Sequence, residues 1–177
     1  MKIDLVVDLQ YGSTGKGLLI GYLAETNGYD GVITCNMPNA GHTYIDSKGN
    51  TMIHKALPNG IVSSNLAYVF IGPGSVFDPT RLEYEITQAR GMGYLGREVD
   101  IIIHPNAMVL RPEHAEAERA TLSSIASTMQ GSMVALTEKM MRDPKNPCLA
   151  KDVYKPTIWG VSVVDTDIWM RCITNCK

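Results

Sequence analysis

Ile3-Asp4-Leu5-Val6-Val7-Asp8-Leu9-Gln10-Tyr11-Gly12-Ser13-Thr14-Gly15-Lys16-Gly17 passes from a nearly continuous apolar run into a loop carrying three glycines and a lysine. Ile3 to Leu9 reads as a buried strand of an α/β sheet. From Gly15 to Glu25, Leu18, Leu19, Tyr22 and Leu23 recur at helical spacing, and Gly28 is a suitable stop. Gly31 to Asn36 is a second strand. Strand, glycine-rich loop, helix and strand make one crossover unit, which is right-handed in nearly all known cases. A loop that wraps a phosphate needs inward backbone N–H groups, glycines free to take unusual φ/ψ, and a positive charge. The N-terminal partial charge of the following helix adds to these. Gly12, Gly15, Gly17 and Lys16 meet these demands. The Walker A pattern would need Gly at 10 and Ser or Thr at 17, where Gln10 and Gly17 stand. Taken alone, the loop leaves open a structural turn with a solvated lysine.

Working outward, Thr43–Asp46 and Thr51–His54 read as a hairpin around Ser47-Lys48-Gly49-Asn50. Leu66–Gly72 and Glu98–His104 are further apolar strands. Asp78-Pro79 supplies an N-cap and a first-turn proline for a helix to about Arg90. Pro112 starts another helix, 121–132 is a polar loop, and 133–142 form a Met-rich helix ended by Asp143-Pro144. Gly91-Met92-Gly93-Tyr94-Leu95-Gly96 matches the dinucleotide fingerprint but follows a helix and precedes a strand, so it reads as a helix stop. The expected fold class is α/β, a central mostly parallel sheet with flanking helices and a P-loop-like phosphate loop. Residues 1–150 read as a nucleotide-binding part. Residues 151–177, with both tryptophans and two of the four cysteines, read as a divergent tail without an assigned role.

Composition narrows the function. Over 177 residues, 45% hydrophobic and 19% charged content suits one globular domain with a full core. A net charge of -2, with Lys and Arg scattered, offers no basic field for nucleic acid. The start has no signal-peptide layout, and no apolar run nears the ~20 residues of a membrane span. Cys35, Cys148, Cys172 and Cys176 match neither C-x-x-C nor a zinc pattern, so reduced thiols in a cytoplasmic setting are the expectation. His54 and His104, at strand ends, read as packed or surface histidines. His114, in a charged helix start, reads as solvent-facing.

Four ordered motifs carry a resemblance: Gln10–Gly17, Asn39-Ala40-Gly41-His42-Thr43, Leu57-Pro58-Asn59-Gly60-Ile61 and Gly72-Pro73-Gly74-Ser75-Val76. In order and spacing they resemble adenylosuccinate synthetase, from about residue 3 to 143. That family's loop usually reads Q-W-G-D-E-G-K-G. Here Ser13-Thr14 replace its Asp-Glu pair, as in the phage-encoded branch, N6-succino-2-amino-2′-deoxyadenylate synthase. Ala126–Met133 resemble the same branch's G-S-T-G-Q-G-S, with Ala126 and Met129 at two glycine positions; a positive φ at Met129 would strain that turn. Family members run to about twice this length, and their distal part carries the L-aspartate loop and the nucleoside-triphosphate base pocket. The resemblance therefore covers the family's N-terminal part.

The resemblance implies a two-step reaction. ATP, GTP or dATP phosphorylates the purine O6, and the amine of L-aspartate then displaces that phosphate. Thr14, Gly15, Lys16, Gly17, Gly41, His42 and Thr43 would bind ATP phosphates. Ser13 and the Gly41 carbonyl would ligate Mg²⁺, and Ser13 and His42 would be catalytic, His42 as acid or hydrogen-bond donor. Ser13, Asn39, Ser127, Thr128 and Arg142 would hold the purine monophosphate, dGMP in the phage branch and IMP otherwise. Arg142 would come from the second subunit of a homodimer; its other reading is a cation at a helix C-terminus. The phage resemblance places the enzyme in the host cytoplasm. A truncated, non-catalytic nucleotide binder is the remaining alternative.

Overall fold

The computed structural model describes residues 2–10, 14–121 and 127–176. Helix α1 (Lys16–Asn27) leads to strand β1 (Gly31–Thr34), the hairpin β2 (His42–Ile45) and β3 (Thr51–His54), and a 3₁₀ turn, Asn59–Val62. Then come β4 (Tyr68–Ile71), β5 (Val76–Phe77), α2 (Pro79–Gly91), β6 (Asp100–Ile103), β7 (Met108–Val109), α3 (Pro112–Thr121) and α4 (Ser132–Met141). The last elements are α5 (Ala150–Val153), β8 (Val161–Val163) and α6 (Thr166–Thr174). The main sheet has strand order β1-β4-β6-β8, and all its pairs are parallel. β2 with β3, and β5 with β7, form two small sheets. This is the expected α/β architecture.

Local chemistry sets the boundaries. The Asp78 carboxylate accepts from the backbone N–H of Thr80 (2.8 Å) and Arg81 (3.3 Å), and Pro79 occupies the first turn of α2. That helix ends where Gly93 takes φ 87°, so the G-x-G-x-x-G run is a stop and turn. In the hairpin, Asp46 accepts from the N–H of Lys48 (2.9 Å) and Asn50 (2.7 Å) and from the Tyr94 hydroxyl. Burial pushes the Asp46 carboxyl up, but these donors outweigh it and hold it at about 2. The core runs through Leu57, Val69, Ile71, Phe77, Leu82, Ile86, Ile101 and Ile103, all essentially inaccessible.

The tail has a place in this layout. β8 extends the main sheet beside β6, and α6 covers Phe70 and Ile102 with Trp169. The Trp169 ring meets Phe70 edge-on at 5.7 Å and His104 at 4.9 Å.

Two expectations fail here. Ile3–Leu9 forms no strand, and Ile3, Leu5, Val7 and Leu9 are 68, 82, 63 and 99% exposed. The helix expected from the spacing of Leu18, Leu19 and Tyr22 is present, but it turns these residues outward, 59, 46 and 58% exposed, while Gly17, Gly21 and Ala24 are buried. Closeness explains this orientation. A Cβ on Gly17 would stand 2.6 Å from the His42 Cβ, and one on Gly21 2.5 Å from the Tyr44 ring. Only the glycine face lets α1 lie flush on β2. The second correction concerns His114, which is 2% exposed and packed, because Glu138 on α4 accepts from its Nε2 at 2.7 Å. Its Nδ1 accepts from the Arg111 N–H (3.0 Å).

Candidate active site

The site begins at the N-terminus of α1. Gly15, at φ 83°, ψ 15°, is the left-handed residue that turns the loop into the helix, a conformation that strains any side chain. Lys16 follows as the first helical residue and pairs with the Asp8 carboxylate, which also accepts from the Thr14 hydroxyl. A lysine and the positive end of a helix thus stand together, the combination that attracts phosphate. Tyr11, Gly12 and Ser13 lie outside the described residues, so the roles expected of Gly12 and Ser13 are not addressed by this geometry.

The flush contact through Gly17 brings β2 against this terminus. His42 opens β2 and stands opposite His54 across the hairpin. Burial, then the neighbouring Lys16 charge, pulls the His42 imidazole below its ordinary value, with Glu85 opposing. His42 is therefore neutral at pH 7, and its ring presents one N–H donor and one acceptor.

Asn59, from the Leu57–Ile61 motif, and Glu85, which carried no signal in the sequence, hold this pair of histidines. Asn59, buried in the 3₁₀ turn, donates its amide N–H to the Gly17 carbonyl oxygen (3.3 Å). Its side-chain oxygen therefore faces His54 Nδ1 at 3.0 Å, so Nδ1 carries the proton. Glu85, 1% exposed on α2, accepts from the N–H groups of Lys55 (2.8 Å), Ala56 (3.0 Å) and Leu57 (2.9 Å). It also takes the Arg81 Nε–H at 2.7 Å. Burial lowers His54 as well, against the pull of Glu85. The Leu57–Ile61 motif is thus the buried brace of the histidine hairpin. The Gly72–Val76 motif likewise serves the sheet: Ser75 donates its hydroxyl to the Thr34 carbonyl (3.2 Å), and the Gly72 N–H bonds the same carbonyl at 2.8 Å.

The remaining expected residues surround this centre unevenly. Asn39 lies in an exposed turn just before β2, with Gly41 exposed beside it and Thr43 on the open side of the hairpin. Ser127 and Thr128 precede α4. The Ser127 hydroxyl accepts the Met129 N–H at 3.2 Å, and Gln130 accepts from the Lys55 ammonium at 3.2 Å, which joins this loop to the residue after His54. Met129 takes φ 54°, the positive value expected to strain the turn. Glu118, 2% exposed, steadies the same loop by accepting from the N–H of Gly131 (2.8 Å) and Met133 (2.6 Å). Arg142 ends α4 at φ 52°, exposed, some 15 Å of helix from the Ser127–Thr128 loop by a rise of ~1.5 Å per residue. Within one chain, the fold joins Lys16, Gly17 and His42 and links Ser127–Thr128 to the hairpin; Arg142 stands apart.

Among the described residues no cluster of three or more His, Cys, Asp or Glu side chains could enclose a metal ion. A Mg²⁺ shared with nucleotide phosphates needs only one or two protein oxygens and keeps its waters. The exposed Gly41 carbonyl, next to His42, is a hard oxygen donor of that kind, so the residues present fit the ion. Among the described residues no helix is long and apolar enough to cross a membrane.

The adenylosuccinate synthetase family model matches residues 5–155. The chain is 57% identical over 154 residues to the N6-succino-2-amino-2′-deoxyadenylate synthase of Vibrio phage phiVC8, covering 86% of this chain and 44% of that protein. Among solved structures, it is similar to the succinoaminodeoxyadenylate synthetase of cyanophage S-2L bound to dGMP and to dATP as an energy donor. That match has a TM-score of 0.82 and 37% identity, over 97% of this chain and 47% of the other. Fully ligated adenylosuccinate synthetase from Plasmodium falciparum matches with a TM-score of 0.61 and 27% identity, over 75% of this chain and 31% of the other. The chain therefore spans less than half the length of these relatives. With a family match across most of its length and the phosphate-loop helix seated on the histidine hairpin, this chain belongs to the adenylosuccinate synthetase family.

Proposed function

We propose that the chain provides the phosphoryl and purine-monophosphate side of a ligase that joins L-aspartate to dGMP. The product is N6-succino-2-amino-2′-deoxyadenylate, with ATP or dATP as energy donor and a 6-phosphoryl intermediate. The observation that carries this reading is the seating of Lys16 and the α1 N-terminus against His42 through Gly17. Phosphoryl transfer asks mainly for in-line positioning and neutralised charge. Lys16 and the N–H groups of Gly15 and Gly17 would hold phosphate oxygens, with Thr14 and Thr43 beside them. His42, neutral at pH 7, would donate its N–H to charge growing on the phosphoryl oxygens. Asn59 and His54 would keep the hairpin, and so His42, in register with the helix. Mg²⁺ held by the Gly41 carbonyl and Ser13 would neutralise phosphate charge.

Ser13 would select the base. A serine in place of the family's aspartate leaves room for the purine 2-amino group and removes a carboxylate from the N1 edge. Sites that hydrogen-bond a substrate group reject analogues lacking it by roughly 10⁴-fold, so one such contact suffices. Asn39, Ser127 and Thr128 would take the 5′-phosphate, with Arg142 reaching in from the second subunit of a homodimer. Support comes from the phage relatives named above, one of which is bound to dGMP and dATP. Calorimetric titration of the chain with dGMP and with IMP tests the reading. Tighter binding of dGMP, reversed toward IMP by Ser13→Asp, is expected; equal binding of both, unchanged by the substitution, would refute it. A mass-spectrometric product assay with dGMP, dATP and L-aspartate separates turnover from nucleotide binding alone.

A further inference from the structure

Helix α4 begins at Gly131, which takes φ 83° and supplies no side-chain cap. A helix start presents unpaired N–H groups and a partial positive charge, and both attract anions. Here a carboxylate from another element fills that place. Glu118, buried on α3, accepts from the Gly131 N–H with one oxygen (2.8 Å) and from the Met133 N–H with the other (2.6 Å). The two elements meet closely, because a Cβ on Gly131 would stand 2.8 Å from both the Ala115 nitrogen and the His114 Cβ. Farther along, Glu138 of α4 pairs with the Arg111 guanidinium just before α3 and accepts from His114 Nε2 within it. Helix α4 is thus held against α3 near both of its ends.

Just before this clamp lies the segment 127–130, with Ser127 half-buried and Thr128 exposed. It folds on itself, the Met129 N–H donating to the Ser127 hydroxyl and the Gln130 amide to the Thr128 carbonyl, both at 3.2 Å. On its other side the Lys55 ammonium donates to Gln130 Oε1 at 3.2 Å. The segment is therefore suspended between Glu118 on α3 and the residue that follows His54. With the Gly131 and Met133 N–H groups taken and a carboxylate already against them, the helix start is closed to a second anion. The hydroxyls of Ser127 and Thr128, one step earlier in the chain, stay available to one.

We infer that Glu118 is a positioning residue for the purine monophosphate: by occupying the first N–H groups of α4 it directs the 5′-phosphate to Ser127 and Thr128. This rests on the reading of those two residues as phosphate ligands. Wild type, Glu118→Ala and Glu118→Gln are titrated by NMR with dGMP and with deoxyguanosine, which differ only in the phosphate. In the wild type dGMP should bind about tenfold tighter than deoxyguanosine or better, and should shift the Ser127 and Thr128 amides. In Glu118→Ala that ratio should fall about fivefold, with deoxyguanosine affinity unchanged and the phosphate-dependent shifts moved to Gly131 and Met133. Glu118→Gln offers one oxygen for two N–H groups, so it should keep part of the ratio, and it carries the test if the alanine variant does not fold. An unchanged ratio in the folded variants would overturn the inference. So would an equal loss for both ligands, which marks a general loosening of the fold. A wild type whose Ser127 and Thr128 amides ignore dGMP would refute the phosphate reading itself, and the inference with it.

Discussion

The two flanks of α1 are finished to different degrees. On the glycine face, every buried polar group of the brace has a partner: Glu85 satisfies three consecutive backbone N–H groups, and Asn59 joins His54 to Gly17. On the leucine face, large apolar side chains meet solvent, and residues 3–9 form no strand. Lys16 stands at the seam, at the first turn of the helix that separates the two. The contrast teaches that the histidine side of the site is preorganised by buried hydrogen bonds, whereas the side approached through the N-terminal segment is open to solvent among the described residues.

Removing Glu85 attacks the finished flank hardest. Glu85→Ala leaves the N–H groups of Lys55, Ala56 and Leu57 without their acceptor, the last two buried, and takes the carboxylate from Arg81, at a cost of about 3–5 kcal/mol in urea unfolding. A loss under ~1 kcal/mol would show that the brace matters little. Asn59→Ala breaks the link between His54 and Gly17 and should cost about 1–3 kcal/mol. It should also shift the His42 ring resonances, and an unchanged His42 would uncouple hairpin from helix.

Acid should strike the same flank and the His104 contact with Trp169. Burial lowers His42, His54 and His104 in the folded chain, Lys16 adding to the shift at His42 and Lys139 at His104. The unfolded chain then binds more protons between those lowered values and the free imidazole value of ~6.5. Their contribution to stability is full above that pH and is lost as pH falls through the folded values. The thermal midpoint should drop between pH 7 and pH 5, with the histidine hairpin losing amide protection first; a midpoint constant across that range would contradict the assignment. The smallest effect belongs to the strained loop before α4. Met129→Gly relieves a positive φ and should raise stability by up to about 1 kcal/mol.

How far the sequence could be read follows the same divide. Local signals were legible, because Asp78-Pro79 and Gly93 act through bonds within a few residues. The spacing of Leu18, Leu19 and Tyr22 located α1 but not its buried face, because here glycines bring the backbone closer to β2 than any leucine could. Glu85 carried no signal, since it acts on residues 28 to 30 positions away, and Asn59 stood in the Leu57–Ile61 motif without a role because its carbonyl partner lies 42 positions away. β8, three residues long, was too short to announce itself. Lys16, Gly17 and His42, by contrast, were named from motifs, and the fold brings them together.

That convergence is the central claim, and backbone NMR tests it most directly. Titrating the labelled chain with dGMP, and separately with dATP, should move the amide resonances of Gly15, Lys16 and Gly17 together with those of His42. Lys16→Ala should abolish those shifts while leaving the spectrum of the core strands in place. Shifts confined to other regions, or an undiminished response in Lys16→Ala, would contradict the account.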